Sequence, residues 1–123
     1  MSASAVAKGN RAKARTKRWL EAQGYAVAHM ERMFFIWTPK GKIATKKDQF
    51  ASDLLAIRAD MPDTYIQVKL GAPSRPRTVR NFREFPFSRQ HVRLWLVVWQ
   101  VRGRAPRVFD LTDEVLNREE SAA

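Results

Sequence analysis

The chain has 123 residues, with 23 lysines and arginines against 12 acidic residues and a formal net charge of +11. This length is that of one domain with one core. Because there is no cysteine and there are only two histidines, disulfides, cysteine-based zinc sites and histidine-rich metal sites are excluded. No apolar run is long enough to span a bilayer, so we expect no membrane partner.

The first predicted element is a helix over residues 8–23, followed by Gly24, a typical residue just past a helix end. Ala12, Thr16 and Leu20 recur at helical spacing on one face, and the rest of the surface is cationic. Because like charges repel along a helix that lacks nearby acids, we favour a phosphate-facing helix over a merely solvated one. Residues 1–7 are predicted to be a flexible N-terminus without the features of a signal peptide, which indicates a cytoplasmic protein.

Strand-like apolar runs follow the helix. They predict strands over residues 25–30, 33–38 (separate or continuous with the first), 53–57, 64–70, 91–101 and 107–111. Between them we predict a turn at 39–42, a basic loop at 43–50, irregular structure at 71–77 and a helix at 78–85 capped by Thr78. The acidic tail at 112–123 is predicted to be a short helix or loose. This order predicts a single α/β domain over residues 8–111, with a mixed central sheet flanked by helices and the strand at 91–101 near its centre.

Aromatic residues divide into two groups by their neighbours. Those in apolar runs are predicted to lie in the core or an interface rather than to stack on bases: Trp19, Phe34, Trp95 and Trp99. Three phenylalanines lie in an arginine-rich segment and are predicted to form an exposed apolar patch: Phe82, Phe85 and Phe87. Such a patch suits a dimer interface or DNA.

Three polar residues on neighbouring predicted strands suggest a catalytic site. Asp53 begins one strand, and Gln67 and Lys69 share one face of the next because strand side chains alternate. If the strands are neighbours, these residues meet at one edge of the sheet. A carboxylate, a second oxygen ligand and a lysine suit metal-assisted phosphodiester hydrolysis. The alternative is an ordinary solvated strand face with an unrelated acid at a turn.

The positive charge indicates a polyanionic partner, since each phosphate contact releases condensed counterions. Without a helix-turn-helix or zinc-finger signature, we expect backbone contacts and recognition of DNA shape. The predicted DNA-binding residues flank the proposed site: Lys8, Arg11, Lys13, Arg15, Lys46, Lys47, Ser52, Arg75, Arg77 and Arg80.

The order of these parts resembles the archaeal-type Holliday junction resolvases of the PD-(D/E)xK nuclease superfamily. The resemblance covers residues 8–100 and rests on the first helix with Gly24, on Ser52-Asp53-Leu54-Leu55-Ala56 and on Ile66-Gln67-Val68-Lys69. It implies a restriction-endonuclease-like domain, a homodimer that cuts four-way DNA junctions, Mg²⁺ or Mn²⁺ as the cofactor and no small-molecule cofactor.

The resemblance also implies roles for individual residues. Asp53 and Lys69 match the family's aspartate and lysine, Gln67 stands at its glutamate, and Val68 at the residue whose carbonyl helps to bind the metal. Ser52 replaces the usual proline, and Lys13 stands where the family has a glutamate in the first helix. Either Glu31 or Asp48 supplies the missing acid, or the chain is a weak or inactive DNA-binding relative. A repair or restriction endonuclease of the same superfamily is a further alternative.

Overall fold

A five-stranded sheet with helices on both faces forms the centre of the fold. The computed structural model describes residues 3–48, 52–87, 91–100 and 102–116, and it describes only the backbone of residues 3–6, 31–37 and 43–48. The elements are α1 (Ala3–Glu21), β1 (Ala26–His29), β2 (Glu31–Thr38), β3 (Gly41–Asp48), β4 (Leu54–Ile57), β5 (Asp63–Leu70), α2 (Arg75–Arg83), β6 (Val92–Trp99), β7 (Arg107–Asp110) and α3 (Thr112–Leu116).

The main sheet has the strand order β1-β4-β5-β6-β7. Strands β5 and β6 are parallel, and the other neighbouring pairs are antiparallel. The predicted α/β class and mixed sheet are therefore confirmed, and β6 is an interior strand as expected. Parallel pairing of β5 and β6 requires a crossover, which contains α2.

Two hydrophobic clusters cover the two faces of the sheet. The first contains Leu20 of α1 with Ile66 and Val68 of β5. The second contains Phe82 of α2 and Val115 of α3 with β6 residues. Trp19, Trp95 and Trp99 belong to or pack against the first cluster, as predicted, and Phe34 lies outside the described side chains.

Helix α1 begins at Ala3, five residues before the predicted start at Lys8. Ala12, Thr16 and Leu20 are buried, so the predicted inner face is confirmed. Gly24 has φ 93°, a backbone conformation that glycine adopts without a Cβ clash, and the chain turns there into β1.

The predicted basic loop at 43–50 is wrong for its first part, because Gly41–Asp48 forms β3. This strand pairs with β2 as an antiparallel hairpin, with Ile36 opposite Ile43. The hydrogen bonds of the partner strand outweigh the weak strand propensity of the lysines. Residues 49–50 lie outside the described residues.

The second helix begins earlier than predicted. It spans Arg75–Arg83, and Ser74 rather than Thr78 is its N-cap, with the Ser74 hydroxyl accepting a hydrogen bond from the Arg77 amide. Pro76 is compatible with this start because the first helical turn has no partner for its backbone N–H groups.

The C-terminal boundary of the domain also lies beyond the predicted residue 111. Thr112–Leu116 forms α3, and Val115 is 1% exposed in the second cluster. Of the two alternatives for residues 112–116, the short helix is therefore present. Among the described residues, no helix is both long and apolar enough to cross a membrane.

Candidate functional site

Asp53 lies just before β4, between the ends of two other strands. Its backbone N–H donates to the Ile66 carbonyl at 2.8 Å, and its own carbonyl accepts from the Met30 N–H at 2.8 Å. The ladder of β4 and β5 begins with Leu54 opposite Ile66, so Asp53, which also donates to Ile66, precedes the regular ladder. The predicted adjacency of the two strands is thus confirmed, and hydrogen bonds to Met30 and to β5 hold the backbone of Asp53.

The Asp53 carboxylate is buried and has two partners. It is 2% exposed; Oδ2 accepts from the Val68 N–H at 2.7 Å, and Oδ1 lies 3.4 Å from Lys13 Nζ. A buried carboxylate requires such compensation, because removing a charge from water is costly unless it is paired and hydrogen-bonded. The lysine that replaces the expected helix acid is therefore the ionic partner of Asp53.

Gln67 and Lys69 lie on the other face of β5. They alternate with Ile66 and Val68, which pack in the cluster that contains α1. Their side chains therefore leave the strand on the side away from α1, where Gln67 is partly exposed and Lys69 is exposed. The structure therefore places the three predicted residues on neighbouring segments but on opposite faces, with the Asp53 carboxylate turned toward α1 and Gln67 and Lys69 turned away from it.

The oxygen donors predicted for a metal are of the type that Mg²⁺ binds: the Asp53 carboxylate, the Gln67 amide and the Val68 carbonyl. The structure does not assemble these three donors into one site, because Lys13 pairs with the Asp53 carboxylate on the α1 side of the sheet and the Gln67 side chain leaves β5 on the other face. Across the described residues, no three His, Asp or Glu side chains cluster as a metal site. Glu31 and Asp48 are opposite each other in the β2–β3 hairpin, and their side chains lie outside the described ones.

The predicted DNA-binding residues differ in the solvent exposure of their side chains. Those with exposed side chains are Lys8, Arg11, Arg75, Arg77 and Arg80, and those partly exposed are Lys13 and Arg15. The prediction that Ser52 contacts DNA is wrong, because its side chain is 0% exposed. The side chains of Lys46 and Lys47 lie outside the described ones, although both residues are on β3.

Two features of this region were not predicted. Arg18, which the sequence places on the cationic surface of the first helix, is missing from the predicted DNA-binding residues, although it shares the helical spacing of Arg11 and Arg15. Arg75 is partly neutralised, because its guanidinium forms an ion pair with Glu114 of α3. No local pattern in the sequence indicates that pair, since the two residues meet only when α3 packs beside α2.

No family model matches this chain, and comparisons with curated proteins and with solved structures found no match either.

Proposed function

We propose that this chain is a structure-selective DNA endonuclease with a restriction-endonuclease-like domain, acting on four-way junctions as a homodimer. One observation carries the proposal: Asp53 is held just before β4 by a backbone hydrogen bond to β5, the strand that bears Gln67 and Lys69. Such an arrangement of a carboxylate, an oxygen donor and a lysine suits hydrolysis of a phosphodiester. The net charge of +11 supports a nucleic-acid substrate.

In this proposal the Asp53 carboxylate and the Val68 carbonyl would hold Mg²⁺ or Mn²⁺, and Gln67 would join them only by a turn of its side chain from the other face of β5. When bound, the ion supplies an activated water and positive charge at the scissile phosphate. The exposed Lys69 ammonium adds charge where negative charge develops in the transition state. The two backbone hydrogen bonds at Asp53 fix the position of its carboxylate before DNA binds.

The first test uses substitutions at Asp53 and Lys69. Asp53→Asn and Lys69→Ala should each abolish paired nicking of a four-way junction with Mg²⁺ or Mn²⁺, while junction affinity stays within about threefold. Lys69 is exposed, so its variant should fold normally, and Lys40→Ala provides a matched loss of one exposed lysine. Circular dichroism checks the fold of Asp53→Asn. Cleavage retained in both site variants would contradict the proposal.

The ion pair between Lys13 and Asp53 favours a second candidate, a domain of the same fold that binds branched DNA without cutting it. An ammonium beside the only carboxylate of the described site opposes the approach of a divalent cation. This candidate predicts that the wild-type protein binds the junction tightly and yields no product with either metal.

Lys13→Glu separates the two candidates, because it replaces the competing cation with a second carboxylate. Mn²⁺ affinity, measured by calorimetry, should increase at least tenfold in this variant under both candidates. Wild-type nicking supports the endonuclease, whereas nicking confined to Lys13→Glu supports the binding protein. Linear duplexes, with and without lesions, belong in the same assay; their preferred cleavage would indicate a repair or restriction endonuclease instead.

A further inference from the structure

One side of α1 carries a row of cations above the ends of β5 and β6. Lys8, Arg11, Arg15 and Arg18 follow one another at intervals of three or four residues, so they lie on the same side of the helix. Together with Leu70, Trp99 and Gln100 they line a cavity of about 420 Å³. This volume lies within the range of small-molecule sites. Because none of its lining residues is acidic, the cavity favours an anion.

Arg15 is the most firmly held of these cations. Its guanidinium carbon lies 4.2 Å from the centroid of the Trp99 ring, and Nη2 donates to the Gly103 carbonyl at 2.5 Å. Trp99 is itself fixed, since it is 2% exposed and its Nε1–H donates to Thr16 Oγ1 at 2.7 Å. The Arg15 guanidinium therefore lies over a fixed indole while Arg15 also lines the cavity.

A second cavity, between α2 and α3, is also lined by cations. Arg75, Arg80 and Arg83 line it, but so do Asp113 and Glu114. Glu114 forms an ion pair with Arg75, and its carbonyl accepts a hydrogen bond from Arg83. The acidic residues in its lining partly cancel the positive potential of that cavity, so the cavity on α1 is the better anion site.

We propose that the cavity on α1 binds one unpaired nucleotide of a DNA strand. The base stacks on the Arg15 guanidinium, and Lys8, Arg11 and Arg18 bind the adjoining phosphates. Arginine suits this role because its planar cation stacks on aromatic rings while it keeps its charge. A base that is paired and stacked inside a duplex cannot stack on Arg15, so the site discriminates unpaired from paired strands. The inference rests on the proposed DNA substrate but does not depend on cleavage at Asp53.

The test compares binding of two labelled DNAs by fluorescence anisotropy: a blunt duplex, and the same duplex with a four-thymidine 3′ overhang. The wild-type protein should bind the overhang DNA roughly tenfold more tightly, in line with the free energy of stacking one base on a protein side chain. Arg15→Lys keeps the positive charge but removes the planar guanidinium on which a base can stack. This variant should therefore lose the preference for the overhang DNA and keep its affinity for the blunt duplex. Arg11→Ala/Arg18→Ala should weaken overhang binding more than duplex binding.

The matched control is Lys17→Ala/Lys40→Ala, which removes two positive charges outside the cavity and should leave the preference unchanged. Thymidine monophosphate should compete with the overhang DNA better than inorganic phosphate does. Equal competition by the two would overturn the base-stacking role. Equal affinity of the wild-type protein for both DNAs would overturn the inference while leaving DNA binding intact, and no binding to either would overturn both proposals.

Discussion

The hydrogen bond between Trp99 and Thr16 joins the centre of the sheet to the cationic helix. Thr16 is 0% exposed, accepts from the indole N–H at 2.7 Å and donates to the Ala12 carbonyl at 2.7 Å. Both polar groups are therefore satisfied inside the first hydrophobic cluster. Because Trp99 also lies under the Arg15 guanidinium, this hydroxyl helps to position a cation that we propose to contact DNA.

Thr16→Val should destabilise the fold, because it leaves the buried indole N–H without an acceptor while it preserves side-chain volume. We expect a loss of about 1–3 kcal/mol in the free energy of unfolding. Urea denaturation measures it, and Thr16→Ser, which keeps the hydroxyl, should recover most of the loss. A Thr16→Val protein as stable as the wild type would show that the bond contributes nothing net.

Helix α2 presents its cations to solvent and its apolar residues to the sheet. Val79 and Phe82 are buried, whereas Arg77 and Arg80 are exposed. Phe82 is 0% exposed, so the predicted apolar patch of three phenylalanines is wrong at this residue, and Phe85 and Phe87 are only partly exposed. Ring contacts of Phe87 with Tyr65 and Phe82 turn this segment inward. Arg77 and Arg80 of α2 remain exposed, and in the proposed function they contact DNA.

Arg77→Glu/Arg80→Glu should weaken junction binding at least tenfold without unfolding the domain, because both side chains are exposed and reverse their charge against phosphates. We leave Arg75 unchanged, since it pairs with Glu114. Lys17→Glu/Lys40→Glu carries the same change in net charge and should have a smaller effect. Filter binding at fixed salt measures the junction affinities. If both double variants lose the same affinity, α2 contributes only its net charge and is not a specific DNA-binding surface.

Across the whole molecule, the two cationic helices lie on opposite faces of the sheet. Helix α1 packs with the first cluster, and α2 packs with the second. A straight duplex meets one face at a time, whereas the arms of branched DNA diverge and can meet both. The proposed junction substrate fits this distribution of charge, and the homodimer remains a prediction.

The salt dependence of binding should therefore be steeper for a junction than for a linear duplex. Each neutralised phosphate lowers the logarithm of the binding constant by about 0.9 per tenfold rise in salt. Binding isotherms from low to physiological salt give both slopes. The α1 variant Arg11→Ala/Arg18→Ala and the α2 variant Arg77→Glu/Arg80→Glu should each reduce the junction slope. Identical slopes for the two DNAs would argue that only one face is used.

Local sequence patterns were sufficient for much of the fold. The apolar spacing of Ala12, Thr16 and Leu20 indicated the inner face of α1, and alternation along residues 64–70 indicated β5 and the shared face of Gln67 and Lys69. These features depend on the helical and strand periods, which act over neighbouring residues. The position of Asp53 beside β5 followed once two such strands were adjacent.

Tertiary packing alone decided the chemistry around the carboxylate. Lys13 and Asp53 are forty residues apart in the chain, and only the packing of α1 on the sheet brings Nζ to 3.4 Å from Oδ1. The same holds for the stacking of Arg15 on Trp99 and for the burial of Phe82. Such contacts depend on how whole helices and strands pack against one another. The spacing of charged or apolar residues along the chain carries no information about the distance between side chains on different elements.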